Sequence, residues 1–176
     1  MSDGAAFLVE RVFGDTAVRH WVLSLPPPLR YHLAYDVSLL GEVLRVFVHE
    51  VFRFLRWRAK TELGLESVTQ AHPGAVTVVQ RFSSNLGLNV HFHSLVTDGV
   101  FLEGDAGGPV TFHGLSVPTD EEVSGVAWET CRRVRDVLIR RGLWKDHEDD
   151  GVEDPLVAAD PGLANLYRAS ICGVLS

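Results

Sequence analysis

The chain of 176 residues is long enough for one domain with a sizeable core, and its 46% hydrophobic and 22% charged content is ordinary for a globular protein. No apolar run approaches the ~20 residues that span a bilayer, and residues 1–10 lack the basic flank of a signal peptide, which predicts a cytoplasmic protein with no membrane association. The net charge of −7 argues against a simple nucleic-acid binder, but six acids fall between Lys145 and Pro155, an expected solvated acidic loop at 145–155, and the remainder is close to neutral.

Val18 to Leu25, VRHWVLSL, is rich in β-branched and aromatic residues and stops at Pro26-Pro27-Pro28. It reads as a strand followed by an extended Pro-rich turn. Asp36 or Ser38 can cap the next segment, in which Leu40, Leu44, Phe47, Val48, Val51 and Leu55 recur at helical spacing and Gly64 lies past the end. Ala75 to Phe82 reads as a strand, Ser83 to Leu88 as a turn, and Asn89 to Phe101 as a second strand of an antiparallel hairpin. Pro109 to Leu115 is a shorter strand. Thr119-x-x-Glu122 is a capping box, after which Val123, Val126, Ala127, Val134 and Leu138 mark a helix that Gly142 terminates. A short third helix is expected from Asp160-Pro161 to Gly173. The order implies an α+β fold, an antiparallel sheet with helices packed on one face, forming a single domain over 1–176. Cys131 and Cys172 make neither a disulfide framework nor a zinc pattern, and read as two reduced, partly buried thiols.

The sharpest chemical signal is His91-Phe92-His93 inside a predicted strand. Side chains two apart share a strand face, ~7 Å apart at Cα, so both imidazoles can converge on one divalent ion while Phe92 points into the other layer. The pattern is short, and taken alone it is better accounted for by two polar residues on a solvent-exposed strand face. Gln80, on the neighbouring hairpin strand, is the candidate third ligand through its carbonyl oxygen, if the turn register brings it to the same face. The remaining histidines, His20 included, read as ordinary surface or core residues, with His113 alone worth watching as a ligand. On the first long helix Arg45, His49, Arg53, Arg56 and Lys60 form one polar stripe, along which a phosphate backbone can lie, or which is simply solvated. Arg132, Arg133, Arg135, Arg140 and Arg141 give the second helix the same ambiguity.

The string AVTVVQRFSSNLGLNVHFHSLVTDGVF, with VRHWVLSLPPPLRYHLAYD upstream, resembles the central region of bacterial rolling-circle insertion-sequence transposases of the paired-tyrosine, IS-ninety-one type. The likeness runs from about Arg11 to the end. It implies a two-histidine (HUH) endonuclease-like domain with a ferredoxin-like core. It also implies metal-dependent nicking and strand transfer of single-stranded DNA, with Mg²⁺ or Mn²⁺ held by His91 and His93; Gln80 stays the candidate third ligand from its place on the hairpin. The single-stranded DNA would lie along Arg45, Arg53, Arg56 and Lys60. In that family a Cys-rich zinc module lies upstream and the nucleophilic tyrosine downstream of the histidines. The expectation is therefore a fragment or decayed copy, unable to nick. Tyr167 is the sole downstream candidate nucleophile, itself expected to pack at a core edge; Tyr31 and Tyr35 are expected to pack. A non-catalytic DNA-binding remnant and an unrelated small His-x-His metalloprotein are the competing readings.

Overall fold

The computed structural model describes residues 8–84, 86–104 and 107–144. The expected acidic loop, the third helix and Tyr167 lie outside them. The fold is α+β. Strand β1 is Val18–Ser24, helix α1 Pro27–Tyr35, helix α2 Val37–Leu63, β2 Ala75–Phe82, β3 Leu88–Thr97, β4 Gly99–Gly104, β5 Gly108–Gly114 and helix α3 Asp120–Arg140. The strands form two sheets where the sequence suggested one: β1-β3-β2, and an antiparallel β4-β5 pair.

The Pro-rich stretch is a helix rather than an extended turn. Pro27 and Pro28 occupy the first helical positions of α1, where a missing N–H costs nothing. Asp36 then caps α2, its Oδ1 accepting from the Leu39 N–H at 2.9 Å. Gly64, at φ +67°, ends α2, with the Leu65 N–H returning to the Lys60 carbonyl. Both halves of the capping box at Thr119 and Glu122 are formed, and α3 closes on Gly142 at φ +69°.

The expected long strand from Asn89 to Phe101 is broken at Asp98. There the backbone N–H bonds the Ala17 carbonyl at 2.8 Å, and the carboxylate takes two hydrogen bonds from Arg19, at 3.0 and 2.7 Å. Gly99 then lets β4 run against β5: a Cβ at this position would stand 2.2 Å from the His113 carbonyl oxygen.

The chain divides into two compact units, both built from discontinuous segments. The first holds residues 1–21, 51–78 and 93–117. Its core includes Trp21, Val51, Leu55, Ala59, Val96 and Val100, with Trp21 edge-on to Phe54. It also holds a closed polar cluster. Arg58, buried, donates to the Ser116 carbonyl at 2.8 Å and pairs with Glu62 at 2.6 Å, while Glu62 accepts from the Ser116 N–H at 3.0 Å. The second unit holds residues 22–50, 79–92 and 118–176. Leu33, Leu39, Val43, Phe47, Phe92 and Val134 are among its buried side chains.

Candidate functional site

Strand β3 carries the histidine motif, and Val90, His91 and Phe92 are buried in succession along it. Phe92 and Ser94 are 0% and 1% exposed. His91 and His93 alternate with them on the other face. The unit boundary falls after Phe92, so His91 belongs to the second unit and His93 to the first.

His91, in the second unit, is buried to 9% exposure, and its Nδ1 lies 2.6 Å from the Asn89 carbonyl oxygen. A carbonyl can only accept, so Nδ1 carries a proton and Nε2 is the one ring nitrogen that can offer a lone pair. In the first unit the His93 Nδ1 lies 2.9 Å from Nε2 of His20 on β1, and the two rings stack with centroids 5.1 Å apart and planes 14° from parallel. One nitrogen of this pair must donate and the other accept. With His93 donating through Nδ1, its own lone pair is also on Nε2. The two histidines of the motif are thus each engaged through the same ring nitrogen. His20 was taken in the sequence for an ordinary histidine. It lies 73 positions from His93, and only the pairing of β1 with β3 joins them.

Gln80, on the part of β2 within the second unit, is exposed, and its Nε2 donates to the Phe82 carbonyl at 2.9 Å. In the first unit Thr77 Oγ1 meets Ser94 Oγ at 2.7 Å, so these two residues share a sheet face. Gln80 is three residues beyond Thr77 and so falls on the opposite face of β2, just as His93 falls opposite Ser94 on β3. Among the described residues no group of three or more His, Cys, Asp or Glu side chains converges as a metal cluster. His113 sits on β5 with its Nε2 2.9 Å from Thr111 Oγ1.

The basic stripe of α2 is less uniform than its spacing implied. Arg45 and Arg53 are exposed. Arg56 donates through Nε to the Ala71 carbonyl at 3.1 Å, and Lys60 donates to the Glu66 carbonyl at 3.1 Å. On α3, Arg132 pairs with Glu129 and Asp136, Arg133 with Glu50, and Arg141 with Glu42 and Asp36. Tyr31 and Tyr35 do not pack as expected. They lie four apart on α1, on one face, and are 64% and 83% exposed.

Residues 74–150 match the model of the family described as "Putative transposase". The match supports a transposase. It spans β2 through α3, and so covers Gln80, His91 and His93 but not His20 or the stripe of α2. No curated protein and no solved structure matches the chain. A role in transposition makes DNA the expected partner, and among the described residues no helix is long and apolar enough to cross a membrane.

Proposed function

We propose that this transposition-related chain holds a divalent ion, Mg²⁺ or Mn²⁺, through Nε2 of His91 and of His93, and that it does so to act on single-stranded DNA. The reaction would be nicking and strand transfer in rolling-circle transposition. The observation that carries the reading is the anchoring of both rings through Nδ1, by the Asn89 carbonyl and by His20. Metal-ligating histidines are commonly fixed in this way by a partner on the other nitrogen, which sets the tautomer and the ring direction. Two imidazoles and one amide oxygen from Gln80 make a sparse donor set. It suits an ion that keeps waters or accepts phosphate oxygens, and it implies weak binding.

When bound, the ion would offset charge on a scissile phosphate. The protein's own contribution is to orient two imidazoles, with His20 as a positioning residue behind His93. Tyr167 remains the candidate nucleophile downstream. A tyrosine that attacked phosphorus would form a phosphotyrosyl ester and release the 3′ oxygen as a hydroxyl. A cytoplasmic site of action goes with this reading.

Calorimetric titration with Mn²⁺ tests the metal half. The unaltered chain should give a binding isotherm, and His91→Ala/His93→Ala should abolish it; equal heats from both proteins refute the site. Incubation with Mn²⁺ and labelled single-stranded oligonucleotides tests the chemistry. A denaturation-resistant protein–DNA adduct lost in Tyr167→Phe identifies that tyrosine as the nucleophile. Metal binding without an adduct leaves a metal-dependent DNA-binding chain without catalysis.

A further inference from the structure

Within the second unit, α2 and α3 enclose an open groove of about 450 Å³. That lies within the ~300–1,000 Å³ range of small-ligand sites and is far larger than one ion needs. Glu42, Arg45 and His49 of α2 and Arg133 and Arg140 of α3 line it, with Val46 and Val137 supplying its apolar part.

The charges in the groove are unequally engaged. Arg133 faces the buried Glu50 at 2.6 Å, and Glu42 is held by Arg141, its Oε1 2.7 Å from Nη2. Both carboxylates are therefore already matched. Arg45 and Arg140 are exposed, and among the described residues neither makes a hydrogen bond or an ion pair. They nevertheless lie near each other, because both act on one carboxyl. Glu42 is held below its usual range first by the hydrogen bond from Arg141, and further by the charges of Arg141, Arg140 and Arg45. His49 adds a third donor, 4.0 Å from Glu50 and with about half of its side chain exposed.

Two guanidiniums and an imidazole over a short apolar floor are suited to consecutive phosphates with sugar or base edges between them. We propose that this groove between α2 and α3 binds the phosphodiester backbone of single-stranded DNA, as a contact separate from the histidine motif. The assignment rests on the DNA-processing reading above, and extends it from the metal to the path of the strand. Residues 45, 49 and 140 then take the place of the straight stripe along α2 as the principal phosphate contact.

The test is fluorescence anisotropy with a labelled single-stranded oligothymidine, in EDTA so that no metal contributes, over a series of salt concentrations. Arg45→Gln/Arg140→Gln should weaken binding at least tenfold. It should also make the slope of log affinity against log salt shallower by about 1.4, two lost contacts at ~0.7 each for a single strand. Arg45→Lys/Arg140→Lys should recover the slope, and Arg135→Gln, an exposed charge of α3 outside the groove, should leave both quantities at their wild-type values. Unchanged affinity and slope in the double Gln variant would overturn the proposal. So would an equal loss in Arg135→Gln, which would mean diffuse charge. Saturable binding of inorganic phosphate without oligonucleotide binding would make the groove an anion pocket and overturn the DNA assignment. The metal reading fails separately. In the unaltered chain, missing Mn²⁺ heats with an intact salt slope in EDTA would remove the metal and leave the groove.

Discussion

Replacing His20 by Ala separates the parts of the proposed site. His20 is exposed, so its loss should change global stability by less than about 0.5 kcal/mol. What it removes is the 2.9 Å partner of His93 Nδ1 and the ring stacked on His93. Loss of such an orienting partner typically costs 10–100-fold in metal affinity. Because this pair is solvent-accessible, water can replace part of the hydrogen bond, and the expected effect lies at the lower end, about tenfold or ~1.4 kcal/mol. His20→Gln keeps an acceptor at nearly the same reach and should recover part of the loss. The assay is calorimetric titration with Mn²⁺, with urea unfolding of each variant as the control for stability. An affinity in His20→Ala equal to that of the unaltered chain would refute the orienting role. A loss as complete as that in His93→Ala would refute it differently, by making His20 a ligand in its own right.

Two further outcomes test the frame around the site. Gly99→Ala should destabilise the β4–β5 pair by about 3 kcal/mol, the upper range for an overpacked site, because its Cβ would stand 2.2 Å from the His113 carbonyl oxygen and 2.9 Å from the Gly114 Cα, both backbone atoms; an unfolding midpoint within error of wild type would show that the strands can separate at no cost. For Glu62, burial pushes the carboxyl up, but the Ser116 N–H and hydroxyl together with Arg58 outweigh it, so the folded value lies below the ordinary 4.5. Its contribution to stability is therefore present above pH 4.5 and lost as the pH falls through the lower folded value. Urea midpoints measured from neutral pH downwards should drop less steeply in Glu62→Gln than in the unaltered chain, and parallel curves would contradict the assignment.

Elements set by local chemistry were legible in the sequence; elements set by distant partners were not. The capping box at Thr119 and Glu122 and the glycine stops at Gly64 and Gly142 depend on contacts a few residues apart, and the structure has each of them. The break of the long strand at Asp98 could not be read, because it is made by Arg19, 79 positions away. The proline run misled for another reason. Three prolines suggest extended backbone, yet at the first turn of α1 they replace N–H groups that a helix leaves unbonded in any case. The apolar spacing on α2 placed Leu40, Phe47, Val51 and Leu55 in the core correctly, because burial of a helix face follows its own period.

Polar residues carry no such period of commitment, which is why the candidate site was only half visible. Arg45, Arg53, Arg56 and Lys60 are equivalent by spacing, but Arg53 is itself engaged, and Arg56 and Lys60 each bond a backbone carbonyl in the following segment. The five arginines of α3 are equivalent by composition, yet Arg132, Arg133 and Arg141 each have a carboxylate partner. A count of positive charge therefore overstates what a phosphate can meet. What remains after pairing is a small number of guanidiniums, and Arg45 and Arg140, from different helices, line one groove. The same reasoning raises His20 and lowers the weight of composition: a histidine with no local pattern gains His93 as a partner when β1 pairs with β3, whereas a basic stripe loses members once each side chain's nearest acceptor is known. The net charge of −7 is thus no obstacle to DNA binding. At a Debye length of about 8 Å in physiological salt a phosphate responds to the charges of one groove, and acids elsewhere on the chain are screened from it.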